Sequence, residues 1–201
     1  MKKLLLVVAV IAGLSFVTVN DPLTEKERQD AAKFLTETED GVLNAAQGLT
    51  DAQLKYKPAA DKWSVEDNLK HISMTEMMLW YITDSVIKSK ANPEKRADIK
   101  MTDDDVKKNI EDRSHKVKTF APLEPQNTPF KSAAEAIASF KENRGKLIEY
   151  IRTTGDELRN HVAQMPPGSF DCYQMVLFIG AHSNRHMQQI NEVKADPGFP
   201  K

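Results

Sequence analysis

Residues 178–190 read Phe-Ile-Gly-Ala-His-Ser-Asn-Arg-His-Met-Gln-Gln-Ile and hold two of the five histidines of the chain. His182 and His186 are four residues apart, so on an α-helix both imidazoles project from the same face, one turn from each other. This face continues in both directions at three- and four-residue spacing and is apolar at both ends, which predicts that the histidines point inward. Its members are Met175, Phe178, His182, His186, Gln189 and Val193.

An inward pair of histidines has two interpretations. The rings are either packed core residues that hydrogen-bond to neighbouring polar groups, or two ligands of one metal ion. A third histidine on a facing helix favours the metal, because three protein ligands and an open position are the usual arrangement of catalytic zinc. His71 is the candidate for that third position, and at this point both interpretations of His71, His182 and His186 stay open.

The composition favours a single, mostly helical domain. The 201 residues are 40% hydrophobic, which is enough for a sizeable core, and only eight of them are glycine. The 28 lysines and arginines nearly balance 29 aspartates and glutamates, so the charge indicates no nucleic-acid partner. We expect a small-molecule substrate of unknown identity, and the sequence leaves open whether the protein forms a homodimer.

Four long amphipathic helices are predicted from capping signals and three-to-four spacing. The first follows the capping box at Thr24, the second runs from about residue 65 to 89, the third begins at a capping box at Ser132 and ends near Gly155, and the fourth covers residues 170–195. Asn68, His71, Thr75, Met78 and Ile82 lie along one line of the second helix. The first helix is expected to face inward through Ala31, Leu35, Thr38, Val42 and Ala46.

These helices predict an all-α fold, a four-helix bundle with a long crossover between helices two and three. The crossover, residues 91–130, holds four prolines and many charges, with a short helix expected from Thr102 to about Lys118. Bundles of this kind hold metal sites between facing helices.

Residues 1–20 are predicted to be a signal peptide or an uncleaved N-terminal anchor, and residues 21–201 the bundle domain. Lys2 and Lys3 precede an apolar run, residues 4–17, that is short for a membrane span and typical of a secretory segment. We therefore expect an exported protein, periplasmic or extracellular, in contact with a membrane only through this segment if it is uncleaved. Its single cysteine, Cys172, excludes an internal disulfide.

Several of these residues together resemble the DinB-like (YfiT-like, bacillithiol transferase-like) superfamily of four-helix bundles. The resemblance covers about residues 24–195. It is carried by Leu54-x-Tyr56-x-Pro58, Trp63-Ser64, His71 seven residues beyond Ser64, and His182-x-x-Arg185-His186-x-x-Gln189-Ile190.

The resemblance implies a divalent metal, zinc or nickel, held by His71, His182 and His186. It also implies a metal-dependent hydrolase or a thiol or group transferase. The alternative is a non-catalytic binding or structural bundle protein with a vestigial or absent metal site. Relatives that use low-molecular-weight thiols act in the cytosol, whereas the N-terminal segment here predicts export.

Other polar residues near the histidines receive weaker predictions, and none is identified as a general base. Three polar residues are candidates to line the pocket or to orient ring nitrogens: Asn68, Thr75 and Gln189. Arg185 either has a structural role or binds an anionic group of the substrate. We expect Cys172 to be a core residue, His115 and His161 to lie on the surface, and Trp63 and Trp80 to be packing anchors.

Overall fold

The computed structural model describes residues 23–166 and 168–201. Within them, four long helices are joined by shorter elements. The long helices are α1 (Glu25–Ala46), α3 (Val65–Ile87), α5 (Ala133–Thr153) and α6 (Cys172–Lys194). The shorter elements are α2 (Asp51–Lys55), α4 (Asp103–Glu111), an antiparallel hairpin of β1 (Val162–Met165) and β2 (Gly168–Asp171), and 3₁₀ turns at Pro93–Asp98, Ala121–Leu123, Pro125–Asn127 and Leu158–Asn160.

The predicted leader, residues 1–20, lies outside the described residues, so the leader, the domain boundary at residue 21 and export stay predictions. Across the described part of the chain, no helix is both long and apolar enough to cross a bilayer.

The four long helices confirm the predicted bundle. α1 packs against α5 and α6, and α3 packs against the same two helices from the opposite corner. The Tyr173 hydroxyl donates to Glu27 at the start of α1 and Lys194 donates to Ala45 at its end, so α1 and α6 run parallel. The contacts of α3 with α6 pair residue 68 with 186 and residue 83 with 172, so these two helices are antiparallel.

The parallel arrangement of α3 and α5 explains the long crossover between them. Ser73 donates to Ala136 near the start of both helices, and Trp80 packs edge-to-face on Tyr150 further along both. A parallel neighbour can be reached only by a connection that returns over the length of the bundle. Residues 88–132 make this return, and their helix α4 packs against α6 on the way.

Side-chain caps begin the helices close to the predicted positions. Reciprocal capping boxes occur at Thr24 with Glu27, at Ser64 with Asp67 and at Thr102 with Asp105. The capping box predicted at Ser132 is only half formed. Its hydroxyl accepts from the Glu135 amide, but the Glu135 carboxylate accepts from the amide of Lys131 instead.

Two element predictions were wrong in detail. α4 ends at Glu111 rather than near Lys118, because the Asp112 side chain accepts from the amide and hydroxyl of Ser114 and so favours a turn over further helix. The fourth helix begins two residues later than predicted, after a hairpin that the sequence analysis missed. Gly168, with φ of 147°, makes the turn of that hairpin possible.

An ion-pair cluster ties the crossover to the bundle. The Arg159 guanidinium donates to three carboxylates. These belong to Glu27 in the first turn of α1, Asp103 at the start of α4 and Asp171, the N-cap of α6. It also lies 4.1 Å from the ring centroid of Tyr173. Three chain segments are therefore held together at one end of the molecule.

A buried polar layer crosses the centre of the bundle between two apolar clusters. Arg144 on α5 is fully buried and binds both carboxylate oxygens of Glu76 on α3, at 2.8 and 2.7 Å. The same guanidinium donates to Thr38 and the Leu35 carbonyl on α1 and to Ser183 on α6. Each of the four long helices thus contributes to one layer at one height.

We expect Arg144→Met to lower the free energy of unfolding by about 3–5 kcal/mol, because it leaves the Glu76 carboxylate buried without its cation. Lys146→Met on the same helix is the control. Its partner Glu142 is equally exposed, so the loss should be below about 0.5 kcal/mol. Urea unfolding followed by circular dichroism measures both, and equal losses in the two variants would contradict the role given to the layer.

Candidate metal centre

The structure brings the three predicted histidines together. One ligand atom from each of His71, His182 and His186 lies within 4.8 Å of the other two. The Nε2 atoms of His71 and His182 are 3.2 Å apart. His71 lies in the second turn of α3, and His182 and His186 lie at and just beyond the middle of α6. These two stretches face each other across the antiparallel pair of helices.

The tautomer of His71 follows from its neighbour in the crossover. Its Nδ1 donates to the backbone carbonyl of Leu123 at 2.8 Å, and a carbonyl only accepts, so Nδ1 carries the proton and Nε2 keeps its lone pair. The Thr75 hydroxyl lies 3.5 Å from both ring nitrogens, at the limit of a hydrogen bond. Because a backbone carbonyl has no residue-type signature, nothing in the sequence identified Leu123 as the partner.

His186 is oriented by Asn68, one of the residues that the sequence analysis considered for this role. The His186 Nδ1 donates to the Asn68 Oδ1 at 3.0 Å, and the Asn68 Nδ2 donates to the Ser64 carbonyl at 2.8 Å. Asn68 is fully buried, so both ends of its amide are held. The His186 Nε2 is thereby left unprotonated, as for His71.

Trp63 closes one side of the cluster. Its ring stacks on His186 with a centroid separation of 5.7 Å and an interplanar angle of 22°, and its centroid is 4.8 Å from that of His71. Trp63 is therefore a packing anchor as predicted, and the side chains that it packs on are the candidate metal ligands His71 and His186. The predicted anchor Trp80 lies away from the site, against Tyr150.

The surroundings keep the three imidazoles neutral. Burial lowers the pKa of His71, although its hydrogen bond to Leu123 works in the opposite direction. Burial lowers the pKa values of His182 and His186 well below the usual value, and the neighbouring imidazoles and arginines lower them further. Neutral imidazoles are the form that ligates metals.

The geometry fits a metal ion better than it fits a packed apolar core. Two nitrogens that are each about 2.0–2.1 Å from a tetrahedral ion lie roughly 3.3 Å apart, close to the spacing of His71 and His182. His71 and His186 present lone pairs with their other nitrogens already engaged, the arrangement typical of metal-bound histidine. Three imidazoles do not select one metal, so the donors fit zinc, nickel, copper or iron.

A cavity of about 870 Å³ opens beside the cluster, lined by the three histidines, Thr75 and Gln189. Arg185 also lines it, but its guanidinium donates to backbone carbonyls of the crossover, those of Ile110, Asp112 and His115. Gln189 accepts from Arg113 at 3.2 Å. Arg185 therefore has the structural role that was one of its two predicted roles, and it anchors the crossover to α6.

The other titratable candidates fall outside the cluster. Cys172 is buried in the core as predicted, and burial raises the pKa of its thiol to about 12. His115 is exposed as predicted, at the cavity rim. The prediction that His161 lies on the surface was wrong, because it is buried where the hairpin meets the end of α3, and its Nδ1 donates to the Val86 carbonyl at 3.0 Å.

Comparison with known proteins gives the family. The model of the DinB superfamily matches residues 34–190. The uncharacterized protein YuaE of Bacillus subtilis (strain 168) is 28% identical over 152 residues, which are 75% of this chain and 89% of that protein.

A solved structure shares the fold. YfiT from Bacillus subtilis, described as a probable metal-dependent hydrolase with an unusual four-helix bundle topology, superposes with a TM-score of 0.60. The match covers 90% of this chain and 93% of that one at 15% identity, so it shows a common fold alone.

The fold and the histidine cluster define a helical bundle with a candidate three-histidine metal centre. The chain belongs to the DinB superfamily, which confirms the resemblance seen in the sequence.

The lowered pKa values of the histidines predict how the stability of the metal-free protein depends on pH. Their pKa values are lowered in the folded state, so between those values and about 6.5 the unfolded chain binds more protons, and stability falls as the pH falls. Urea midpoints of chelator-treated protein between about pH 7.5 and 5.5 measure this slope.

His182→Gln should reduce the slope by up to about 1.4 kcal/mol per pH unit, since one titrating group is lost. His115→Gln, at an exposed position, should leave it unchanged. A wild-type stability that does not fall on acidification would contradict the neutral, buried state of the cluster.

Proposed function

We propose that the protein binds a divalent metal ion through His71, His182 and His186 and is a metal-dependent hydrolase acting on a small molecule. The observation that carries the proposal is the convergence of three neutral imidazoles whose ligand atoms lie within 4.8 Å of one another beside an open cavity. The resemblance in fold to YfiT, described as a probable metal-dependent hydrolase, supports the same reaction class. Export remains part of the proposal and rests on the sequence of residues 1–20 alone.

The residues of the chain divide the work at such a site. His71, His182 and His186 hold the ion, the Leu123 carbonyl and Asn68 orient two of the rings, and Trp63 excludes water from one side. When bound there, a divalent metal supplies a Lewis acid that polarises a substrate carbonyl or phosphoryl group and lowers the pKa of a water molecule. The cavity that the three histidines line leaves room for the substrate beside them.

Within the part of the chain that the structure describes, no carboxylate hydrogen-bonds to a ring nitrogen of the cluster. The ring nitrogens contact a backbone carbonyl, a side-chain amide, a hydroxyl and another imidazole. This observation favours the alternative, a bundle protein that holds a metal without turnover. The two functions differ in whether the metal-loaded protein catalyses a reaction.

We expect the purified full-length protein to hold about one divalent ion per chain, and His71→Ala, His182→Ala and His186→Ala each to lose it. His115→Ala, which alters an exposed histidine, should retain it. Elemental analysis after dialysis measures the content. Equal metal content in the cluster variants and in the control would remove the basis of the proposal.

Turnover is measured on the same preparations with ester, amide, phosphate and thiol-transfer substrates. Hydrolysis that disappears with the metal supports the hydrolase. A fully loaded protein that is inactive on every substrate class supports the non-catalytic alternative.

Asn68→Ala should weaken metal binding about 10- to 100-fold, because His186 loses the acceptor that orients its ring. Asn68→Asp keeps an acceptor oxygen and should restore most of the affinity. Asn143→Ala is the matched control, since Asn143, like Asn68, donates from Nδ2 to the carbonyl four residues earlier on its helix. Competition with a chromophoric chelator gives the affinities, and similar losses in both alanine variants would reduce the Asn68 effect to general destabilisation.

A further inference from the structure

The cavity beside the histidines has an apolar wall. Trp63, Met78, Leu79 and Phe178 line it from the bundle side. Its volume of about 870 Å³ is within the range of sites that enclose small organic ligands, which are mostly apolar with a few placed polar groups. The body of the ligand that fits this wall is therefore apolar.

The opposite wall is a segment of the crossover, residues 116–120, which we call the cover. Val117 and Phe120 line the cavity from the cover although 76% and 66% of their surfaces are exposed. In the described part of the chain, large apolar side chains this exposed are few, and these two are at the mouth of the cavity. A ligand with an apolar body would remove both from water.

The cover is attached at each end to a helix that carries candidate ligands. On one side the His115 carbonyl accepts from Arg185, the residue before His186. On the other side the Leu123 carbonyl accepts from His71. The cover is therefore held beside the metal centre by contacts with both α3 and α6.

The charges around the cavity favour an anion. Glu192 pairs with Arg113, so these two charges cancel, and Asp61, Glu124 and Asp196 are the other carboxylates that line the cavity. Lys62, Lys116 and Lys118 line the same cavity without an ion-pair partner among the described residues, and the cover itself carries two lysines and no carboxylate. Arg185 adds a fourth positive charge, so outside the Arg113–Glu192 pair the cavity is lined by four cations and three carboxylates.

We propose that the ligand of this cavity is a small organic anion with an apolar body, such as an aryl or acyl carboxylate, sulfonate or phosphate. Val117 and Phe120 of the cover contact its apolar body, and Lys116 and Lys118 of the cover contact its anionic group. The inference rests on the proposed function, because it names the substrate class of the same site.

A matched pair of fluorescent probes tests the charge. The anionic probe is 1-anilinonaphthalene-8-sulfonate, and the neutral probe is N-phenyl-1-naphthylamine, the same ring system without the sulfonate. Both are titrated into the folded, full-length protein, with and without metal. The dissociation constants are compared between the wild type and three double variants.

The double variant Lys116→Gln with Lys118→Gln should bind the anionic probe about fivefold more weakly, because two ammonium groups are lost. Its affinity for the neutral probe should change less than about twofold. Lys90→Gln with Lys95→Gln removes the same charge from exposed positions outside the cavity and should change neither. The double variant Val117→Ser with Phe120→Ser should bind both probes about fivefold more weakly, or weaker still, because two apolar contacts are lost.

The proposal is overturned if the cover lysines have no more effect on the anionic probe than the control pair. It is also overturned if the serine variant leaves both affinities unchanged, since the probes would then bind elsewhere. Because binding is measured on metal-free protein as well, these failures are distinct from a failure to bind metal or to hydrolyse a substrate.

Discussion

Arg144 lies at the centre of the bundle, where its guanidinium donates to side chains or carbonyls of the three other long helices. A buried charge is costly unless its partners are in place, so α1, α3 and α6 can slide along α5 only by breaking charge-assisted bonds. Burial raises the pKa of Glu76 and Arg144 opposes that change, as expected for a pair that keeps its charges by contact. The rest of the structure depends on the register that this layer sets.

The position of the histidines follows from that register. Glu76 and Ser183 mark the same level on α3 and α6. His71 precedes Glu76 on α3, and His186 follows Ser183 on α6. Because these helices are antiparallel, both histidines lie on the same side of the layer, about one turn from it. Parallel helices with the same sequences would carry the histidines to opposite sides of it. Gly180 contributes to this geometry, since a Cβ there would lie 2.7 Å from Phe34 and α6 could not pack so closely on α1.

The topology also supplies the surroundings of the site. Since α3 and α5 are parallel neighbours, the chain must return over the bundle between them, and this return places Leu123 on His71 and the cover residues on the cavity. The same contacts that satisfy the His71 ring therefore attach the crossover to the helices. A bundle of four antiparallel neighbours joined by short loops would leave the histidine cluster uncovered.

The sequence alone determined the four long helices, most of their caps and the pairing of His182 with His186, because helical periodicity and capping depend on residues no more than four positions apart. It also selected His71, but by resemblance and spacing rather than by contact. Only the tertiary structure decided that residue 71 meets residues 182 and 186 across the bundle, and that Asn68 rather than Thr75 or Gln189 holds His186.

The same limit explains the errors. Three features were not predicted: the burial of His161, the hairpin before α6 and the hydrogen bond from His71 to Leu123. They depend on segments distant in sequence or on backbone groups that are the same in every residue. Local patterns carry no information about such contacts, since packing of the complete chain determines which surfaces meet.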